Sequence, residues 1–484
     1  LHLTSLPGPH GHGDLGPAAR AFVEWLARAG QSTWQMLPVV PPGFAGSPYD
    51  GRSGFAGSPF LLSLEDLASE GWLSPEDLTA DFDPGRASFE GAAELRSDRL
   101  RRAAERFRKD GAASARLEHF RAENAGWLAD WALFAALRAA HGGTDFCEWP
   151  AELRRRDPDA LEHARHDLAD EVAFHELCQL WFHEQWERLV AHCRAHAVSL
   201  LGDVPMFVAH DSADVWQHAE LFLLDETSRP RAVAGVPPDA FSETGQLWGN
   251  PLYDWERMRS TGFRWWLDRL ASSLGRFDRV RLDHFIGFRR YWEIPVHATD
   301  AREGRFVHVP GEELFEAARA RFGGLPFVAE DLGVVTDEVK ALRDQFELPG
   351  MRVLQFAYDS DELNDYRPER YVANTIVYTG THDNDTTAGW FQHATDSTRA
   401  RVLAAVATDG REIHWDLMRL AARSVANECI FPLQDALGQG SDSRMNTPAT
   451  TVGNWRYRVR SEELSADVAA RLRQLTEESG RIRA

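Results

Sequence analysis

The chain has 484 residues, 43% hydrophobic and 26% charged, a mixture that excludes a disordered chain and leaves room for a large core. Its formal net charge of −21 excludes nucleic acid and anionic membrane surfaces as partners, since both reward lysine and arginine, and favours a neutral or small substrate. No apolar run reaches ~18 residues and no signal-like segment opens the chain, while the four scattered cysteines (Cys147, Cys178, Cys193, Cys429) read as thiols of a reducing, cytoplasmic compartment.

Residues 1–5 read as the end of a strand already under way, and 6–14 as a loop by their Gly and Pro content. His10, His12 and Asp14 lie in that loop, but no further ligand cluster follows at a metal-site spacing, so no metal is expected. Over 18–29, Phe22, Val23, Trp25, Leu26 and Ala29 share one helical face, and Gly30 stops the helix. Residues 34–39 form a second buried strand, and strand, helix, strand at this spacing predicts a parallel sheet. The loop over 41–60 is rich in turn formers and aromatics, among them Phe44 and Tyr49; long irregular loops in compact domains tend to be functional.

From 61 to 197 the pattern is helical and charge-rich, an insertion rather than a second catalytic domain. Arg99, Arg101, Arg102, Arg106 and Arg108 are interleaved with Glu and Asp and describe a solvated helix face. The parallel pattern resumes at 198–205, 279–283, 326–331, 351–356, 375–383 and 429–435, which with the two earlier strands makes eight. Eight strands separated mostly by helices close into a (β/α)8 barrel, here one catalytic unit over 1–484. A second insertion, 209–262, carries a loop of turn residues and aromatics, including Phe241 and Trp248, placed to overhang the barrel mouth.

Four of these strands end in a carboxylate: Asp203, Asp283, Glu330 and Asp383, the last preceded by His382. Arg281 and Asp283 are two apart, so on a strand they leave the same face. An Arg-x-Asp taken alone is more often an ion pair, but acids at several strand ends converge at the C-terminal mouth, where such barrels carry their active sites. Clustered acids without soft ligands suit glycoside chemistry, with metal-assisted hydrolysis as the competitor. The seventeen tryptophans include candidates for stacking on sugar faces, although most belong to the core.

Three runs, RLDHF at 281–285, PFVAEDLG at 326–333 and TGTHDND at 379–385, resemble the signatures of 4-α-glucanotransferases, the amylomaltase or disproportionating-enzyme family, relatives of the α-amylases. The similarity extends through TSLPG at 4–8, GDLGP at 13–17, SPY at 47–49, GDVP at 202–205, QLWGNPLYDW at 246–255, and MNTPATT and GNW near the end, with Phe44, Ala45 and His12 departing from the pattern. The resemblance implies transfer of α-1,4-glucan segments to the 4-hydroxyl of an acceptor glucan or glucose. It makes Asp283 the nucleophile, Glu330 the general acid/base and Asp383, ranked above Asp385, the transition-state stabiliser. Arg281 would keep Asp283 charged and oriented, whereas Glu330 must be protonated and calls for a raised pKa. Tyr49, Asp203 and His382 would contact the sugar at the cleavage site and Trp248 the acceptor. A retaining double displacement would set the two main carboxyls ~5–5.5 Å apart. No metal or organic cofactor is implied, the partners are malto-oligosaccharides and α-1,4-glucans, and the oligomeric state is left open. The rival readings are an amylase-type α-glucan hydrolase and a silent glucan-binding protein.

Overall fold

In a computed structural model the chain is described over residues 1–43, 46–238, 242–360 and 362–482; Phe44, Ala45 and Phe241 lie outside the described residues. Eleven strands among them are, in chain order, β1 (Thr33–Gln35), β2 (Ser199–Val204), β3 (Ala232–Val236), β4 (Gln246–Pro251), β5 (Arg279–Leu282), β6 (Arg290–Pro295), β7 (Arg305–His308), β8 (Phe327–Ala329), β9 (Gly350–Val353), β10 (Thr375–Tyr378) and β11 (Glu428–Ile430). Seven of these, ordered β1-β2-β5-β8-β9-β10-β11, pair in parallel throughout and form a nearly closed barrel of the (β/α)8 type.

The eighth strand expected at residues 1–5 is instead a 3-10 turn, Leu3–Ser5, whose end is closed by Ser5 and Leu6 N–H groups donating to the His2 and Leu3 carbonyls. Leu3 and Leu6 are indeed fully buried, but an apolar run this short does not separate a strand from a turn. Among the described residues no ladder joins β1 to β11, and side chains bind the seam. The Trp34 indole donates to the Leu1 carbonyl at 2.6 Å, and Thr33 Oγ1 donates to Glu428 Oε1 at 2.9 Å. Glu428 also accepts from Arg279 Nη2 at 2.7 Å through each of its oxygens. Thr33, Arg279 and Glu428 are the first residues of their strands, so this cluster lies at the end of the barrel opposite the mouth.

Strand alternation decides what fills the barrel. Leu201, Val328, Met351, Val353, Ile376 and Tyr378 form one apolar cluster inside it, whereas Leu200, Val280, Leu282, Phe327 and Ala329 belong to the larger core shared with the surrounding helices. On β5 this period of two sends Val280 and Leu282 outward and Arg279 and Arg281 inward.

Helices fill the chain between β1 and β2, ending in the long helix Ala169–Ala195, which buries Leu177, Leu180, Trp181, Leu189 and Cys193 at helical spacing. The arginine-rich face of Phe89–Phe107 and its flank is solvated and paired: Arg99 with Asp98, Arg101 with Glu171, Arg102 and Arg106 with Asp77, Arg108 with Asp170. The stretch expected to be a loop over the mouth is more ordered than that. Its strands β3 and β4 join the β6–β7 hairpin in a four-stranded antiparallel sheet, order β4-β3-β6-β7. The β3–β4 approach is close enough that a Cβ on Gly235 would lie 2.2 Å from the Gln246 carbonyl oxygen, and the ladder bulges there. Among the described residues no helix is long and apolar enough to cross a membrane.

Replacing Glu428 with Ala strips Thr33 and Arg279 of their shared acceptor at the seam. The expected loss is ~1–3 kcal/mol, read as a lower urea unfolding midpoint; an unchanged midpoint would show that the seam does not depend on it.

Candidate active site

The ladder itself assembles the first charged cluster. Asp203 of β2 and Arg281 of β5 are register partners, and Arg281 Nη1 donates to Asp203 Oδ2 at 2.7 Å while Nη2 reaches Asp283 Oδ1 at 2.8 Å. Tyr49, from the loop after β1, donates its hydroxyl to the same Asp203 oxygen at 2.8 Å. The side chains of Asp203 and Arg281 are 0% and 5% exposed, whereas Asp283 is 25% exposed and faces the mouth. Burial raises the Asp203 carboxyl pKa against the pull of Arg281. The two acids together raise that of Arg281 well above its ordinary value, outweighing burial. Burial beside Asp203 likewise raises the Tyr49 phenol, which therefore remains a donor.

Beyond β5 the chain turns sharply. Asp283 N–H still bonds the Val204 carbonyl at 3.0 Å, and His284 then takes a left-handed conformation with φ +50°, uncommon for a residue other than glycine. The turn aims the His284 backbone N–H at Glu330 Oε2, 2.7 Å away. Glu330 follows β8, and its own backbone continues the pairing, its N–H bonding the Leu282 carbonyl and its carbonyl accepting from Phe285, both at 3.1 Å. Burial pushes the Glu330 carboxyl well above the usual range; Arg281 opposes the shift and the Asp283 charge adds to it. The His284 ring is half-buried, and desolvation lowers its pKa to about 4 and holds it neutral. The Trp248 indole, 37% exposed on β4, stands edge-on against that ring at 4.8 Å. The antiparallel sheet therefore reaches the ends of β5 and β8.

The third acidic motif follows β10. Asn384 Oδ1 accepts from the backbone N–H and the hydroxyl of Thr381, both at 2.9 Å, which pins the turn. Within it, Asn446 Nδ2 donates to Asp383 Oδ1 at 2.6 Å, Asn446 N–H bonds the His382 carbonyl at 3.1 Å, and Arg444 Nη2 bonds the Asp383 carbonyl at 2.7 Å. His382 stacks on Tyr49 with ring centroids 5.2 Å apart, and Trp455 packs against both at 5.9 Å. Burial lowers the His382 pKa. Asp385 turns away: it accepts from the Ser441 hydroxyl and Thr386 N–H, each at 2.7 Å.

Tyr49, Asp203, Arg281 and Asp283 are thus one bonded network, Glu330 joins it through His284, and His382 joins it through the Tyr49 ring. Sequence reasoning missed Asn446, Arg444, Trp455 and the backbone role of His284. Asn446 and Trp455 lie in the MNTPATT and GNW runs, which carry a family resemblance but no spacing signal toward Asp383.

A profile of the 4-alpha-glucanotransferase family matches residues 1–464. The chain belongs to that family. Among curated relatives, the 4-alpha-glucanotransferase of Thermus thermophilus is 47% identical over 100% of this chain and 98% of its own length. The chloroplastic/amyloplastic 4-alpha-glucanotransferase of Solanum tuberosum is 42% identical over 100% of this chain and 86% of its own. Among solved structures, the amylomaltase of Streptococcus agalactiae in complex with acarbose superposes with a TM-score of 0.98 at 36% identity, covering 100% of this chain and 99% of the other. This glucanotransferase is an enzyme, and the amylase-type hydrolase reading of its sequence is not favoured.

The Glu330 shift has a sign that can be tested. A carboxyl whose pKa is higher folded than unfolded contributes stability below the unfolded value and loses it as pH rises through the folded one. Glu330→Gln should therefore unfold ~1–3 °C above the unsubstituted glucanotransferase at pH 8, with the gap closing near pH ~4. Calorimetry at the two pH values decides it; a variant less stable at pH 8 would contradict burial as the dominant cause.

Proposed function

We propose that transfer runs as a retaining double displacement on α-1,4-glucans with Asp283 as nucleophile, Glu330 as general acid/base and Asp383 as transition-state stabiliser. The observation that carries the reading is the environment split between Asp283 and Glu330. Asp283, bonded to Arg281 through Oδ1, keeps Oδ2 to attack the anomeric carbon. Glu330 is half-buried, raised in pKa by desolvation and bonded at Oε2 by a backbone donor, so its proton sits on Oε1, ready for the departing glycosidic oxygen. In the first half-reaction the C1–O bond breaks as the Asp283 ester forms, and the proton of Glu330 leaves with the cleaved chain. In the second, Glu330 takes the proton of an acceptor 4-hydroxyl, whose oxygen displaces Asp283 from C1. Asp383, fixed by Asn446, meets the sugar hydroxyls, and the Tyr49–His382 pair walls the same sugar. Trp248 stacks on the acceptor side, where it helps the acceptor to outcompete water.

Further support comes from the Streptococcus agalactiae amylomaltase, which is solved with acarbose; a malto-oligosaccharide would occupy the corresponding place here. The helical insertion and the antiparallel sheet serve a single catalytic barrel. Cytoplasmic residence fits the four free cysteines, and the net charge of −21 gives nucleic acid no purchase.

Incubation with maltotriose should yield glucose and longer oligosaccharides at constant reducing ends, whereas rising reducing ends would overturn transfer. Asp283→Asn should cut turnover by ~10³-fold or more, and unchanged turnover would remove Asp283 from the chemistry. Asn446→Ala frees the Asp383 carboxylate without emptying the site; kcat should fall ~10–100-fold with unfolding temperature little changed, and an unaltered kcat would separate Asp383 from the transition state.

A further inference from the structure

Away from the mouth, three groupings of His, Cys, Asp and Glu bring one donor atom each within 4.8 Å of the others among the described residues. They differ in whether those donors are already used. In the first, Glu65 supplies the third group that the sequence did not place beside His10 and Asp14. Asp14, however, is bonded by Arg96 and by Gly16 N–H, each at 2.9 Å, and His10 Nε2 bonds the Leu78 carbonyl at 3.0 Å. A guanidinium already stands where a cation would. In the second, Asp145–Cys147–His210, the Cys147 thiol and His210 Nε2 both donate to the Ser228 carbonyl, at 3.2 and 2.8 Å, and His210 Nδ1 faces Asp145 at 3.3 Å. Its polar atoms satisfy one another.

The third grouping is different. His192, in the last turn of Ala169–Ala195, and His196, the cap of that helix, are four apart, and their rings lie 4.4 Å centroid to centroid. His196 Nδ1 is 2.9 Å from the His192 carbonyl. A carbonyl only accepts, so Nδ1 carries the hydrogen and Nε2 of the neutral ring keeps its lone pair. His192 Nε2 is buried and makes no hydrogen bond. It faces Glu24 Oε1 at 3.5 Å, from the first barrel helix Pro17–Arg28, while the other Glu24 oxygen is the one turned toward Arg28 at 4.0 Å. Tetrahedral zinc with N and O ligands at ~2.0–2.1 Å sets neighbouring ligand atoms ~3.3–3.4 Å apart. The Glu24–His192 separation is already close to that edge.

We propose that Glu24 Oε1, His192 Nε2 and His196 Nε2 form a Zn²⁺ site, with the remaining coordination position open to water. Two imidazoles and a carboxylate suit a borderline divalent cation better than calcium or magnesium, which take oxygen ligands. The site joins the first barrel helix to the turn that feeds β2 at Ser199, at the end of the barrel opposite the mouth. Its role is to clamp two elements, not to take part in transfer. An ion that binds the folded chain and not the unfolded one raises stability.

The test is isothermal titration of the chelator-treated full chain with zinc chloride, beside thermal unfolding with and without zinc. A saturable zinc equivalent and an EDTA-reversible rise in unfolding temperature are expected. Both should vanish in the His192→Ala/His196→Ala double variant while its zinc-free turnover of maltotriose is unchanged, and both should survive in Cys147→Ser. Glu24→Gln, a change on an exposed residue, should weaken binding at least tenfold and guards against misfolding of the double variant. The site is overturned if the unsubstituted chain takes up no zinc, or if the double variant or Glu24→Gln binds it with unchanged affinity.

Discussion

Two carboxylates buried or half-buried at the barrel mouth, Asp203 and Asp283, share the guanidinium of Arg281, and the rest of the site depends on that sharing. Neither ion could be held there alone, because an uncompensated charge in a low-dielectric interior is costly. Arg281 satisfies both with separate nitrogens and is itself held in one orientation by them. The phenol of Tyr49 is fixed by the same Asp203 oxygen, and His382 stacks on Tyr49. A single cation thus sets the direction of an acid, an aromatic wall and a neutral imidazole.

Glu330 obtains the opposite environment by a backbone device. The left-handed turn at His284 gives one neutral N–H donor to its carboxyl and no cation, so desolvation governs Glu330, whereas Asp283 has a direct ionic partner. The chain thus supplies a guanidinium to one carboxyl group and only a backbone N–H to the other. The antiparallel sheet completes the arrangement by laying Trp248 against His284, on the residue whose backbone holds the acid.

Much of this was legible in the sequence, and the exceptions have physical reasons. The barrel strands and their terminal acids were readable because a buried parallel strand is a short apolar run and a charged residue at its end stands out. Residues 1–5 carry the same apolar signal, yet local carbonyls close the backbone into a turn. β4 has the sequence of a loop because Gly249, Asn250 and Pro251 are turn formers; the ladder with β3 overrides their preference. β6 buries Tyr291 and Ile294, three apart, with the aromatic pair Tyr291-Trp292 between polar neighbours, so it carries no period-two signal; its partner β3 lies in the earlier insertion, and long-range pairing leaves no trace in spacing. The residues that fix Asp383, Asn446 and Arg444, come from a loop more than sixty positions away, where only three-dimensional proximity reveals a role.

Strand β5 carries a consequence for how freely this protein can vary. Its arginines sit two apart, Arg279 closing the seam with Glu428 at one end of the barrel and Arg281 organising the acids at the other. A slip of one residue would turn Arg279, Arg281 and Asp283 out among the helices and put Val280 and Leu282 in the inward positions that the two arginines occupy. An insertion or deletion within these few residues would therefore abolish closure and chemistry in the same event. Evolution can decorate the loops around this strand, but it inherits the strand as an indivisible unit.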